Sequence, residues 1–277
     1  MALIAILKGS PIEMTIERRC HGKEGKTVAL LHGGPGAPGT LLPLAGILKK
    51  RFCVLEPFQR GSGCFPLTVE SHVEDFHELV LSACQGEPVA VVGHSWGAML
   101  GLAAASAYPK DVRSLVLVGC GTFDAQSRSM MEKVLEGRTN GELREKARAL
   151  KREIEDPHER MKRYAALVAP LYSFDPDGSE EPLACDGQAF EETWNDMLKL
   201  QGEGVYPAAF SVIRCPVLML HGSWDPHPGR MIRDSLLAHI PQLEYIEMEE
   251  CGHTPWLERR ARDRFFSLLS GWLESLP

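Results

Sequence analysis

The chain has 277 residues, 44% of them hydrophobic and 24% charged, with a formal net charge of −7. That describes a globular chain able to bury a large core, as one α/β domain with an insertion or as two domains. No lysine or arginine block appears, which argues against nucleic-acid or anionic-membrane partners and leaves a small-molecule substrate.

In chain order, the apolar run at residues 2–7 is too short to span a membrane. No basic region precedes it and no small-residue cleavage site follows, so it reads as a first strand. Strand-like runs recur at 12–16, 27–31, 52–55, 89–92, 114–118, 217–220 and 243–246, with helical patterns between most of them. The alternation predicts an α/β fold, a mostly parallel central sheet with helices on both faces. The short turn at 8–11 and the glycine- and charge-rich link 18–26 predict that the sheet opens with antiparallel hairpins. The eight cysteines lack C-x-x-C pairs and suit reduced thiols in a cytoplasm better than disulfides or zinc. No metal-ligand spacing and no dinucleotide motif occurs, so neither metal nor cofactor is expected.

The rhythm breaks after Gly119. Residues 122–210 contain helical patterns at 126–135, 142–155, 158–168 and 188–200 and no strand run, which predicts a helical lid at 122–210 on a core formed by 1–121 and 211–277. Such an insertion sits at the carboxyl edge of the sheet, where open sheets bind ligands. Residues 124–163 carry nine acidic and eleven basic residues (net +2), and 164–210 carry nine acidic and one basic (net −8). The acidic half reads either as a solvated surface or as a mouth that draws in cations.

The stretch Val89-Ala-Val-Val-Gly-His-Ser-Trp-Gly-Ala98 joins a β-branched run to a small, apolar, helix-forming one. The turn between them must be tight, and Gly93 and Gly97 flank Ser95 in G-x-S-x-G spacing, where missing Cβ atoms let strand and helix approach. A serine hydroxyl needs a base, a group to orient that base, and donors for the oxyanion. His253, in Cys251-Gly-His-Thr-Pro255, and Asp225, in His221-Gly-Ser-Trp-Asp-Pro226, both follow predicted strands and fall at the same sheet edge as Ser95. His227 is the rival base; His32 and His94 read as packing or hydrogen-bonding groups. The glycine loop Leu31-His-Gly-Gly-Pro-Gly36 offers a backbone N–H from Gly34, with Gly33 as second choice, to act beside that of Trp96 as an oxyanion hole.

Taken together, His32-Gly-Gly-Pro-Gly36, Gln59-Arg-Gly-Ser-Gly63, Gly93-His-Ser-Trp-Gly97, Trp224-Asp225 and Gly252-His253 resemble the α/β-hydrolase superfamily, and within it the proline iminopeptidase-like branch. The resemblance implies the α/β-hydrolase fold and a Ser95-Asp225-His253 triad; in that branch it also implies lid carboxylates for a substrate ammonium. The chain departs from the branch at Phe58, where aspartate is usual, and at His94. On the helix at 188–200, Phe190, Trp194, Met197 and Leu198 share a face, with Glu191 at its edge and Glu192 pointing away, so Glu191 and Trp194 are the substrate-binding candidates of the lid. Three functions are consistent with these residues. The leading one is a cofactor-free serine hydrolase of small acyl substrates such as carboxylic esters. The second is a prolyl aminopeptidase, and the third a non-catalytic ligand-binding member of the fold.

Overall fold

The computed structural model describes residues 16–63, 65–179 and 185–276. Among them seven strands form one sheet: β1 Arg18–His21, β2 Thr27–Leu31, β3 Cys53–Pro57, β4 Val89–His94, β5 Val112–Val118, β6 Val217–Gly222 and β7 Leu243–Met248. Their order is β1-β3-β2-β4-β5-β6-β7, parallel except for β1, which runs antiparallel to β3. β4 is buried along its whole length because β2 and β5 flank it and helices cover both faces. On one face lie α1 Leu42–Leu48 and α9 Arg262–Ser275; on the other lie α2 Val69–Cys84, α3 Trp96–Ala107 and α8 Gly229–Leu237. α3 is apolar all round because it is buried between the sheet and α2, and a helix so enclosed has no solvent face to make polar.

The opening of the sheet differs from expectation. Residues 18–21, expected to belong to a turn-rich link, form β1, and β1 pairs with β3 across the sheet rather than in a hairpin with β2. Among the described residues β1 has β3 as its one strand neighbour, and a strand so placed needs no apolar run, which is why its sequence hid it. Arg19 instead lies over the Phe58 ring at 4.7 Å, and His21 Nε2 reaches Glu56 at 3.2 Å. Ile16 lies outside any strand, and the runs expected at 2–7 and 12–15 fall outside the described residues.

Among the described residues four α-helices stand between β5 and β6: α4 Ala125–Arg138, α5 Gly141–Glu153, α6 Pro157–Val168 and α7 Gly187–Gly202. Each starts at a side chain that accepts a bond from the first turn, namely Asp124, Asn140, Asp156 and Asp186. α7 docks on α2. Its Thr193 Oγ1 meets His72 Nε2 at 3.0 Å, and the backbone N–H groups of Leu67 and Val69 donate to Glu192 (2.9 Å) and Asp196 (2.8 Å), where the positive end of α2 favours carboxylates. Asp186 accepts from Ser62, while Asp175 and Asp177 pair with Arg259 and Arg262. Five of the nine acidic residues of 164–210, Asp175, Asp177, Asp186, Glu192 and Asp196, thus fasten the insertion to the core. No helix among the described residues is long and apolar enough to cross a membrane.

Candidate active site

Ser95 sits in the turn from β4 to α3 with φ 54° and ψ −118°, a region L side chains seldom occupy. The glycines make the turn possible: a Cβ on Gly93 would strike the Gly97 carbonyl, and one on Gly97 would strike that of Leu31. The Ser95 N–H donates to Val118 O at 2.8 Å, pinning the turn to the end of β5, and Ser95 is half-buried among buried neighbours.

The expected carboxylate and base, Asp225 and His253, follow β6 and β7. His253 Nδ1–H donates to Asp225 Oδ2 at 2.7 Å, which leaves Nε2 as the basic nitrogen. Asp225 is buried and shared. His227 donates to Oδ1 twice, through its ring at 2.8 Å and its backbone N–H at 2.9 Å, and His221 Nε2 lies 3.4 Å from Oδ2. Burial alone would raise the Asp225 carboxyl, but the facing imidazoles of His253, His227 and His221 outweigh it and hold it well below the usual carboxylate range. The His227 and His253 rings stack 4.8 Å apart. The ligand atoms of Asp225, His227 and His253 lie within 4.8 Å of one another and could hold a metal ion, a possibility their spacing in sequence did not suggest.

Several contacts hold His253 near Ser95. His94 Nε2–H donates to the His253 carbonyl at 3.0 Å, with the two rings 4.7 Å apart, and the His253 N–H donates to Tyr172 O at 2.8 Å. A Cβ on Gly119, directly after Val118, would come within 3.0 Å of His253 Nδ1. Asp225 and His253 are therefore brought together. The Ser95 hydroxyl is brought to the same edge without a hydrogen bond to the His253 ring.

The glycine loop lies against the serine, since a Cβ on Gly33 would approach Ser95 Cβ to 3.1 Å. Gly34 adopts φ 53°, accessible to glycine at little cost. The Trp96 N–H heads α3, where the first turn leaves donors free. His32 supports the loop as a neutral ring: Nδ1–H donates to Gly33 O (3.0 Å) and Nε2 accepts the Gln59 N–H (3.2 Å). Burial accordingly lowers its pKa to about 4. The Gln59 side chain donates to His32 O and accepts from Trp96 Nε1 at 2.7 Å, tying loop and helix together.

The lid candidates take other places. Trp194 is half-buried, stacked on Phe190 and packed against the core, while Glu191 is exposed. Glu192, expected to point away, is the one that turns inward, as its bond from Leu67 requires.

Residues 28–267 match the model of the Alpha/beta hydrolase family. The chain belongs to that family. Membership makes it an enzyme of the α/β-hydrolase type, and its strand order and helix layers are those of the α/β-hydrolase fold. The mouse (Mus musculus) protein Serine hydrolase BPHL is 26% identical over 262 residues, covering 91% of this chain and 81% of that protein. An esterase from Thermogutta terrifontis superposes with a TM-score of 0.65 at 19% identity, covering 94% of this chain and 93% of its own. A monoacylglycerol lipase from Paleococcus ferrophilus does so with a TM-score of 0.64, also at 19% identity, covering 95% and 100%.

Within this hydrolase fold, sequence reasoning missed two supporting residues. Gln59 had a signal, since it opens the Gln59-Arg-Gly motif. Tyr172 had none: it lies in an irregular turn after α6, and only the fold carries its ring to 5.6 Å from His253 and 6.0 Å from His227.

Proposed function

We propose that the chain is a serine hydrolase of small acyl substrates, carboxylic esters foremost, in which Ser95 is the nucleophile, His253 the base and Asp225 its orienting carboxylate. The observation that carries the reading is the His253–Asp225 pair at 2.7 Å on the sheet edge where Ser95 occupies its strained turn. His253 Nε2 takes the Ser95 proton as Oγ attacks the acyl carbon, and the N–H groups of Trp96 and of Gly34 or Gly33 stabilise the oxyanion. His253 then returns the proton to the leaving alkoxide, giving an acyl-enzyme that a water molecule opens by the same steps in reverse. Helices α4–α7 serve as the lid. A cavity of about 290 Å³, whose apolar lining is Leu135, Leu143, Ala147, Val168 and Leu171 and whose polar lining includes Arg144, Arg148 and Tyr172, supports an acyl group beside the ring that packs on His253.

The aminopeptidase alternative draws less support, because Glu191 is exposed and the other lid acids described above have partners in the core. A purely ligand-binding role has no need of the complete set. Ser95→Ala is expected to fold and to lose on the order of 10³-fold or more in kcat for an aryl ester, and a serine-directed phosphonate to label the wild type at Ser95. Near wild-type turnover by purified Ser95→Ala would overturn the assignment.

A further inference from the structure

Arg138 ends α4, and two contacts hold its guanidinium. Its Cζ lies 4.2 Å from the centroid of the Trp224 ring, and Nη1 donates to Leu171 O at 2.6 Å. Both contacts lie one residue from the groups that orient the base. Trp224 precedes Asp225, and Leu171 precedes Tyr172, whose carbonyl accepts the His253 N–H.

A guanidinium has five N–H donors, and a carbonyl bond with an indole face leaves most of them idle. Among the described residues no carboxylate pairs with Arg138; Arg128 and Arg160 also lack one, but Arg128 donates to Gln201 and Arg160 to two backbone carbonyls, whereas Arg138 has one carbonyl and a ring face. Arg138 is half-buried, and burial pulls its pKa below the ordinary guanidinium value despite the opposing pull of Asp225. A partly desolvated cation with no carboxylate in hydrogen-bond contact is costly, and a planar anion arriving from solution would take its free donors in a bidentate bond. The cavity bordered by Leu135 and by Thr139, the residue after Arg138, is walled by Leu143, Ala147, Val168 and Leu171 and also by Arg144 and Arg148, and it fits the chain that would carry such an anion.

We infer that Arg138 is an anion subsite of the lid and that the acyl substrates it selects bear a carboxylate, as monoesters of short dicarboxylic acids do. The assignment rests on the serine-hydrolase reading for its chemistry, but binding tests it separately. In the Ser95→Ala protein, calorimetry with monomethyl glutarate and its neutral counterpart methyl valerate measures what the carboxylate adds without turnover. The expected result is at least about tenfold tighter binding of monomethyl glutarate, abolished when Arg138→Met is added and partly retained with Arg138→Lys. Comparing two ligands in one protein cancels any general disturbance of the lid. Equal affinities, no binding of either ester at millimolar concentration, or an anion preference that survives Arg138→Met would overturn the subsite. Failure of the wild type to hydrolyse 4-nitrophenyl valerate and its hemiglutarate analogue, with Arg138-dependent binding intact, would sink the hydrolase reading and keep the subsite.

Discussion

Two imidazoles divide one carboxylate between them, His253 on Asp225 Oδ2 and His227 on Oδ1, and the difference between them lies in what remains when each is removed. Without the His227 ring, Oδ1 still accepts the backbone N–H of residue 227, and Oδ2 still holds His253. His227→Ala is therefore expected to cost less than about tenfold in kcat/KM on an aryl ester, and His253→Ala on the order of 10³-fold or more. The reverse ranking in steady-state kinetics would make His227 the base. Asp225→Asn is expected to cost on the order of 10⁴-fold, because an amide offers one acceptor where three imidazoles converge and lets His253 turn its tautomer round.

The attachment of the helical insertion belongs to the level of whole elements. α7 meets the N-terminus of α2 through Asp196 and Glu192, whose carboxylates accept the Val69 and Leu67 N–H groups, while the capping box of Thr68 and Ser71 secures the first turn from within. Asp196→Asn keeps the acceptor oxygen but removes the charge facing the positive helix end, so a loss of about 0.5–1 kcal/mol in urea unfolding is expected. The exposed Glu191→Gln should change stability by less than about 0.5 kcal/mol. It should also leave ester hydrolysis within about twofold of wild type; a larger loss in kcat/KM would return Glu191 to the substrate site.

Across the whole molecule, buried neutral histidines give stability a pH dependence. Burial lowers His32 to about 4 and His72 to about 3, so between those values and the unfolded value near 6.5 the unfolded chain binds protons the native chain refuses. Stability therefore falls as pH falls below about 6.5, by about 2 kcal/mol for each ring between pH 7 and 5. Asp225 works on the opposite side of the scale: its depressed pKa adds stability above the unfolded carboxylate value that is lost only as pH falls through its lower native one, outside this window. Urea midpoints at pH 7 and 5 check this. Burial lowers His94 and His221 as well, so His72→Gln removes one of several such titrations and should lessen the difference between the two pH values; an undiminished difference would exclude His72 as a source.

The turn at Ser95 was legible because everything it needs is local: a β-branched run, two glycines without Cβ atoms and a small-residue helix within about a dozen positions force it to be tight. The ends of β6 and β7 were likewise readable, which put Asp225 and His253 on the right edge of a parallel sheet. Other features depend on how distant segments meet. β1 was hidden because its four residues, Arg18 to His21, carry no apolar run. Glu191 and Glu192 were interchanged because adjacent helix positions differ by about 100° and a broad apolar stripe leaves its own margin undecided. What Glu192 faces is set by the α2 N-terminus, 125 residues away in the chain. The sharing of Asp225 by His227 and His253, and the seating of Arg138 on Trp224, were decided only by tertiary packing, because no periodicity in one segment encodes the side chain it meets in another.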